Sequence, residues 1–262
     1  MSIADNLQRV RERIARAAES AGRKPDEISL VGVTKYVDSN AAAELIAAGC
    51  TNLGESRPQE LWKKSADLQL TTNVNSHSHD GLVASATRYP IENPAIHWHL
   101  IGHLQRNKVA RTLPLVTLIH SVDSGRLLAT INESTALLPR PRGEGRGEGA
   151  LANQINVLLE VNTSGESAKH GLAPDEVEPL LASAPQHDHV HIRGLMTMAA
   201  IEGNEATAAR NFASLRRLRD RLISNMPTNV KLDELSMGMS GDFEIAIREG
   251  ATIVRIGSLL WE

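Results

Sequence analysis

Residues 28–35, Ile-Ser-Leu-Val-Gly-Val-Thr-Lys, form an apolar, partly β-branched run of strand length that ends on a lysine. A helical pattern follows from about Asn40 to Ala48, and Gly49 ends it. A buried strand followed by a helix is one βα unit. The unit predicts a parallel sheet, because parallel neighbours need a crossover connection of this length.

The same alternation continues on both sides of this run. An amphipathic helix from about Asp5 to Ala21 precedes it. Seven further strands are predicted at 52–55, 96–102, 118–122, 155–161, 192–198, 235–239 and 252–256. Helices are predicted after all but the last of them, at 58–68, 105–112, 124–137, 174–184, 204–225 and 242–249. Eight such strands in about 250 residues predict a (β/α)₈ TIM barrel with an extra N-terminal helix, and a doubly wound open sheet remains the alternative.

Two segments interrupt this rhythm. Residues 71–94 are polar and rich in Asn, Ser and His, and they exceed the usual connection of about 2–6 residues, which predicts an insertion. Residues 139–150 consist almost entirely of Pro, Gly, Arg and Glu, which predicts a mobile surface loop. Neither segment resembles a domain boundary, so residues 1–262 are predicted to form a single domain.

Composition excludes several classes of protein. The 28 Lys plus Arg residues nearly balance 31 Asp plus Glu residues, so a net charge of −3 offers no broad attraction to nucleic acid or anionic membranes. The single cysteine, Cys50, excludes an internal disulfide framework. No stretch reaches the roughly 18 apolar residues of a membrane span, and the charged start is unlike a signal peptide. The predicted location is the cytoplasm.

Polar residues at the predicted strand ends are the candidate site residues, because function in this fold lies at the carboxyl ends of the strands. Ser240 precedes a predicted helix, and Gly257-Ser258 follows the last strand, where such barrels commonly bind phosphate. A lone serine before a helix is more often a simple N-cap. Its pairing with Gly257-Ser258 favours a phosphate site.

Lys35 ends the first predicted strand. Burial there would desolvate its amine and make it a natural Schiff-base former, although a rim lysine that reaches water is an equally common reading. A phosphate site together with a strand-end lysine points to a phosphorylated aldehyde. Pyridoxal 5′-phosphate is the obvious candidate.

Several motifs in order resemble those of the YggS/PROSC family of pyridoxal phosphate homeostasis proteins. They are Val33-Thr-Lys35, Leu53-Gly-Glu-Ser-Arg57 with Gln59-Glu60, residues 98–108 (Trp-His-Leu-Ile-Gly-His-Leu-Gln-Arg-Asn-Lys), His120-Ser-Val-Asp123, Val161-Asn-Thr-Ser-Gly165 with Lys169-His-Gly171, Gly194-Leu-Met-Thr-Met198, residues 235–240 (Leu-Ser-Met-Gly-Met-Ser) with Asp242-Phe243, and Val254-Arg-Ile-Gly257. The resemblance covers nearly the whole chain.

This resemblance implies a fold-type III barrel, similar to the N-terminal domain of alanine racemase, that holds pyridoxal phosphate as an aldimine on Lys35. It implies that Ser240, Gly257 and Ser258 bind the phosphate and that Arg255 faces the pyridine nitrogen. Ser56 occupies a position where the family more often has Asn, and the end of the chain, residues 259–262, differs from the usual Phe-Gly. Met198 is a candidate contact for the cofactor ring, although methionines at such positions more often fill the barrel core.

The resemblance favours a carrier over an enzyme. An arginine at the pyridine nitrogen weakens the cofactor as an electron sink, although racemases of this fold tolerate it. Racemases of this fold add a tyrosine base from a second domain, whereas this chain ends about four residues after the phosphate loop, and Tyr36 is expected to face away from Lys35 while Tyr89 lies in the insertion. We therefore predict no catalytic residues, cofactor hand-over to pyridoxal-phosphate-dependent apoenzymes, and a monomer. A low-activity amino-acid racemase and a cofactor-free class I aldolase using Lys35 remain the alternatives.

We interpret the histidine and arginine clusters of the sequence as surface features rather than binding sites. His187, His189 and His191 alternate, and His77 and His79 lie two residues apart, but the first group precedes a strand and the second lies in the insertion. We interpret both as surface histidines and predict no metal site. The arginines between residues 216 and 221 form one solvated helix face, so nucleic-acid binding is not expected.

Overall fold

The computed structural model describes residues 2–75, 96–138, 154–166, 169–200 and 202–262. Within these ranges there are eight strands: β1 (Ser29–Val33), β2 (Asn52–Glu55), β3 (His97–Leu100), β4 (Leu118–Val122), β5 (Ile155–Glu160), β6 (Val190–Met196), β7 (Val230–Ser236) and β8 (Ile253–Ile256). The α-helices are α1 (Ile3–Ser20), α2 (Ser39–Ala47), α3 (Pro58–Asn75), α4 (Val109–Thr112), α5 (Gly125–Ala136), α6 (Val177–Ala182), α7 (Glu205–Leu222), α8 (Phe243–Arg248) and α9 (Ser258–Trp261).

The strands form a closed barrel in sequence order, and every neighbouring pair is parallel. β1 closes the barrel by pairing with β8, with Leu30 opposite Val254. This arrangement confirms the predicted (β/α)₈ barrel with its N-terminal helix and excludes the open sheet. None of the helices in the described ranges has the length and apolar character that a membrane crossing requires.

Helix α1 stabilises the seam where the first and last strands meet, because it packs against α8 and α9. The side-chain amide of Asn6 donates to the carbonyl oxygen of Leu260 at 3.2 Å. Arg13 forms an ion pair with Glu244 at 2.8 Å. The helix begins at a capping box, in which Ser2 and Asp5 satisfy each other's backbone N–H groups.

Alternation along the strands divides the barrel interior into two layers. Val31, Leu118, Leu158, Met196 and Ile253 form an apolar cluster of their own, separate from the core between sheet and helices. Because side chains two residues apart point to the same face of a strand, the next inward residues are polar on three of these strands: His120, Glu160 and Arg255. An apolar layer therefore supports a polar one nearer the strand ends.

Several predicted boundaries are corrected. β7 begins at Val230 rather than Leu235, because Val230 and Leu232 alternate with the exposed Lys231 and Asp233 as in a half-buried strand. The predicted helix at 105–112 is divided into a 3₁₀ turn, Arg106–Lys108, and the short α4. The last strand is followed by α9, which was not predicted.

The two predicted interruptions lie largely outside the described residues. α3 continues to Asn75, so the first five residues assigned to the insertion at 71–94 are helical. Residues 76–94 and the whole of the predicted loop at 139–150 fall outside the described ranges.

Gly194 in β6 is a position where a side chain cannot be accommodated. An ideal Cβ there would lie 1.9 Å from the carbonyl oxygen of Glu234 in β7, and a backbone atom cannot move away cheaply. We expect Gly194→Ala to lower the free energy of unfolding by an amount at or above the upper end of the about 1–3 kcal/mol typical of overpacking, measured by urea denaturation. Gly125→Ala, whose Cβ would meet only the flexible Leu180 side chain at 3.4 Å, is the matched control. Equal stabilities for the two variants would contradict the prediction.

Candidate functional site

A cavity of about 690 Å³ lies at the carboxyl ends of the strands. It contains all seven residues predicted for the site: Lys35, Ser56, Met198, Ser240, Arg255, Gly257 and Ser258. The remaining lining residues are Val33, Tyr36, Val37, Ile101, Gly102, Met239, Gly241, Trp261 and Glu262. Six of the eight strand-end loops therefore contribute, and barrel closure brings together residues from both ends of the chain.

Lys35 lies in a turn rather than on the strand. β1 ends at Val33, and the carbonyl oxygen of Thr34 accepts a hydrogen bond from the backbone N–H of Val37 at 3.1 Å. The lysine side chain is exposed, which agrees with the rim lysine that reaches water rather than with a buried amine at the strand end. The turn also breaks the strand alternation: Tyr36 does not face away, and the Nζ of Lys35 lies 4.8 Å from the centre of its ring.

A buried ion pair holds the turn that carries Lys35. The Nζ of Lys64 in α3 donates to Oε2 of Glu55 at 2.7 Å and to the carbonyl oxygen of Thr34 at 2.6 Å. The Thr34 hydroxyl donates to the same carboxylate at 3.1 Å. Lys64 and Glu55 are nearly inaccessible to solvent, so their charges are compensated by each other and by these hydrogen bonds. α3 thereby fixes the ends of β1 and β2 together.

The same carboxylate positions Ser56. Oε1 of Glu55 accepts the backbone N–H of Ser56 at 2.8 Å. Gly102, after β3, lies directly against this residue: an ideal Cβ at Gly102 would be 2.4 Å from the carbonyl oxygen of Ser56. The loops after β2 and β3 are therefore in backbone contact at the edge of the cavity.

Arg255 lies in the polar layer at the base of the cavity, almost wholly buried. Nη1 donates to Oγ of Ser236 at 2.6 Å, and Nη2 donates to the carbonyl oxygen of Thr197 at 3.0 Å. Burial lowers its pKa to about 10, against the opposing effect of the Glu160 and Asp242 carboxylates. The guanidinium is thus a fixed cation at neutral pH, with N–H hydrogens left for a ligand.

A hydrogen-bonded chain continues from Arg255 across the barrel. Oγ of Ser236 lies 2.8 Å from Nδ1 of His120, and Nε2 of His120 lies 2.9 Å from Nδ1 of His99. Because arginine only donates, Ser236 accepts from it and gives its hydroxyl hydrogen to His120, its one other hydrogen-bonding neighbour in the described chain. His120 then donates through Nε2 to His99, so both rings carry their hydrogen on Nε2.

Burial keeps both imidazoles neutral. It lowers the pKa of His99 to about 4, with a smaller contribution from His97. It also lowers the pKa of His120 well below its ordinary value, assisted by the neighbouring His99 and the positive charge of Arg255. A protonated imidazole in the chain would lie close to the buried guanidinium, which the neutral form avoids.

The loops after β7 and β8 are joined by a hydrogen bond. Oγ of Ser240 accepts the backbone N–H of Gly257 at 3.1 Å. α8 begins only at Phe243, so Ser240 is not its N-cap, and the simpler interpretation of this serine is wrong. Ser258 is exposed at the first position of α9. Hydroxyl groups and backbone N–H groups thus meet on one side of the cavity.

Apolar side chains line another part of the cavity wall. Met198 packs against the apolar cluster inside the barrel and is only partly buried, so it both fills the core and reaches the cavity. The indole N–H of Trp261 donates to the carbonyl oxygen of Val33 at 2.9 Å, which fixes its ring beside β1.

Sequence reasoning missed part of this site. Trp261 and Met239 line the cavity, although only the departure from the family's usual ending drew attention to residues 259–262. Lys64 was missed because a lysine in an amphipathic helix normally indicates the solvated face. A buried lysine is recognisable only once its carboxylate partner is placed.

Comparison with known proteins places the chain in a family. The family described as "Alanine racemase, N-terminal domain" matches residues 5–262. The chain is 36% identical to the pyridoxal phosphate homeostasis protein of Aquifex aeolicus, over 100% of this chain and 98% of that protein. The chain belongs to the pyridoxal phosphate homeostasis protein family. The corresponding protein of Pseudomonas aeruginosa is 35% identical over 99% of this chain and 95% of its own length.

The fold of this family agrees with the barrel described above. PipY of Synechococcus elongatus, whose structure was solved with PLP bound, is 29% identical and superimposes with a TM-score of 0.75 over 100% of both chains. The family resemblance inferred from the sequence motifs is therefore confirmed.

Removing the buried cation tests the role of the Lys64–Glu55 pair. We expect Lys64→Met to lower the free energy of unfolding by about 3–5 kcal/mol, because it leaves the Glu55 carboxylate buried without a counter-charge. Denaturant unfolding would measure the loss. The adjacent exposed Lys63, changed to Met, is the control, and adding Glu55→Gln to Lys64→Met should restore part of the stability. Similar effects for Lys63→Met and Lys64→Met would refute this account.

The hydrogen-bonded chain that starts at Arg255 predicts the protonation state and the tautomer of His99 and His120. We expect His99 and His120 to remain neutral at pH 5.5, both as the Nε2–H form, because burial holds their pKa values well below that of a free imidazole. Nitrogen-15 chemical shifts of the assigned imidazoles, followed from pH 8 to 5.5, would report both properties. A protonated shift for either ring at pH 5.5, or an Nδ1–H form, would overturn the assignment.

Proposed function

We propose that this chain binds pyridoxal 5′-phosphate in the 690 Å³ cavity and takes part in intracellular pyridoxal phosphate homeostasis. The observation that carries the proposal is the meeting of Lys35, Arg255 and the Ser240–Gly257 pair in one cavity. Its relatives are named for this role, and PipY was solved with PLP bound.

The residues present fit the chemical groups of this cofactor. The hydroxyls of Ser240 and Ser258, with the nearby backbone N–H groups, suit a phosphate. The buried guanidinium of Arg255 suits the ring nitrogen as a hydrogen-bond donor, and Met198, Ile101 and Trp261 suit the faces of an aromatic ring. The amine of Lys35 can condense with the aldehyde, forming a C=N bond and releasing water.

When bound, pyridoxal phosphate would supply an electron sink, whose strength depends on the protonation of its ring nitrogen. Arg255 stays protonated at neutral pH and offers hydrogens but accepts none, so it leaves that nitrogen without a proton. The neutral His120 and the Ser236 hydroxyl hold the guanidinium in place. This arrangement favours binding of the cofactor over turnover of amino acids.

The exposure of Lys35 supports a carrier. Lys35, Tyr36 and Val37 also line a second cavity of about 580 Å³ between α2 and α3, whose walls carry charges of both signs. An amine from a recipient can therefore approach the Lys35 linkage from a side that the cofactor cavity does not occupy. We propose pyridoxal-phosphate-dependent apoenzymes as recipients. The monomeric state, the single domain and the cytoplasmic location remain predictions from the sequence.

The low-activity racemase is the second candidate, and the position of Tyr36 favours it. Its ring borders the cofactor cavity beside the Lys35 amine, contrary to the expectation that it faces away. Chiral analysis of alanine and other small amino acids incubated with the loaded protein decides between the two. Turnover that Tyr36→Phe abolishes would establish the racemase and refute the non-catalytic carrier.

Absorption spectroscopy tests the proposed anchor. We expect added pyridoxal phosphate to give the wild-type protein a visible Schiff-base band at one equivalent per chain, because the Lys35 amine lies within the cavity that fits the phosphate. Lys35→Ala should lose the band and bind at least about tenfold more weakly, as expected when a covalent anchor is removed. Lys63→Ala, which removes an exposed lysine from the adjoining cavity, should keep it. A band that survives in Lys35→Ala would refute the anchor, and no band in the wild type would favour the cofactor-free aldolase.

A further inference from the structure

A second group of chemically active side chains lies at the same end of the barrel, on the side formed by β3, β4 and β5. It consists of His103, Asp123 and His170, each of which offers a ligand atom within 4.8 Å of the others. We call these three residues the β3–β5 cluster. None of them lines the proposed cofactor cavity.

The fold brings the cluster together from three successive strand ends. His103 follows β3, and Asp123 directly follows β4. A parallel bridge between Val161 and Leu172 folds the loop after β5 back along the end of that strand, which returns His170 to the barrel mouth. The loop thereby places a residue far along the sequence next to the ends of β3 and β4.

Direct contacts hold the three side chains in this arrangement. Nδ1 of His103 lies 3.1 Å from Oδ2 of Asp123. The rings of His103 and His170 stack with their centres 4.6 Å apart and an angle of 17° between their planes. Both histidines are exposed and Asp123 is half-buried, so an ion could reach the group from solvent.

Glu160 provides an independent reason to place a cation here. It is the last residue of β5, and only 5% of it is exposed. In the register of the sheet, Val122 of β4 lies opposite Leu159 of β5, so Asp123 and Glu160 are the next residues on neighbouring strands, and a divalent cation would compensate both negative charges.

We propose that His103, Asp123 and His170 bind a divalent cation of the zinc, cobalt or nickel class, with Glu160 adding negative charge behind them. Two imidazole nitrogens and one carboxylate oxygen form a donor set that such borderline metals prefer, whereas magnesium and calcium favour oxygen ligands. Three protein ligands leave a coordination position for water or for another ligand.

The present spacing requires a modest contraction. Ligand atoms bonded at about 2.0–2.1 Å to a tetrahedral ion lie about 3.3 Å from one another, so the exposed rings must turn out of their stack toward the ion. Both rings are free to do so at the surface, and the hydrogen bond to Asp123 is exchanged for a metal bond. None of the three proposed ligands lines the cofactor cavity, so metal binding can be tested without pyridoxal phosphate.

Metal titration of the purified full chain, dialysed against a chelator and without added cofactor, tests the proposal. Calorimetry with Zn²⁺ and visible absorption with Co²⁺ should each report one equivalent per chain, and the cobalt bands should have the intensity of a four- or five-coordinate site. His170→Ala and Asp123→Asn should each weaken binding at least tenfold, because the first removes a ligand and the second removes the negative charge of another. Asp123→Asn keeps the shape of the side chain, so it still tests the proposal if His170→Ala folds poorly.

Matched histidine controls separate this site from surface chelation. His97→Ala removes an exposed histidine at the opposite end of β3 and should leave the affinity unchanged. The pairs His187→Ala/His191→Ala and His77→Ala/His79→Ala should do the same. Absence of binding to the wild type, unchanged affinity in His170→Ala and Asp123→Asn, or loss of binding in one of the control pairs would overturn the proposal.

Discussion

The pairing of β1 with β8 is the contact on which the rest of this structure depends. Lys35 follows one of these strands, and Arg255, Gly257 and Ser258 lie on or after the other, so the two halves of the cavity meet only because the barrel closes. Neither strand offers much pairing surface by itself, since β8 has only four residues. Helix α1 packs beside the same seam, and the indole of Trp261 forms a hydrogen bond to β1 there. Because Trp261 also lines the cavity, contacts that stabilise barrel closure also shape the site.

The polar layer inside the barrel uses one arrangement to meet two requirements. A cation at the base of the cavity must be buried to be fixed, and a buried cation must be fully hydrogen-bonded. The chain from Arg255 through Ser236 to two neutral histidines engages one edge of the guanidinium without adding a second charge and leaves other N–H groups for a ligand. On the other side of the cavity, the Lys64–Glu55 pair neutralises itself while its hydrogen bonds hold Thr34 and Ser56. The contacts that compensate these buried charges are therefore also the contacts that position the site residues.

The sequence predicted the barrel and the co-location of the seven site residues because both follow from local patterns: strand and helix periods give the element order, and strand ends meet at one rim. It did not predict what depends on contacts between distant elements. The exposure of Lys35 and the orientation of Tyr36 follow from a turn whose hydrogen bonds involve α3. The β3–β5 cluster depends on a loop that returns along β5, and no periodicity in the sequence encodes that bridge. Residues 76–94 and 139–150, which the sequence marks as insertions, keep that interpretation as a prediction.

The backbone contact at Gly102 has a dynamic consequence. With no Cβ between them, the loops after β2 and β3 touch along their main chains, so a displacement of one must carry the other. On that side of the cavity we expect the two loops to move together, and the Glu55 carboxylate further restrains the backbone of Ser56. The loops after β6 and β7 present Met198 and Met239, unbranched side chains that change rotamer at little cost. The wall after β6 and β7 should therefore adjust more readily to the shape of a ligand than the wall after β2 and β3, where main chain meets main chain.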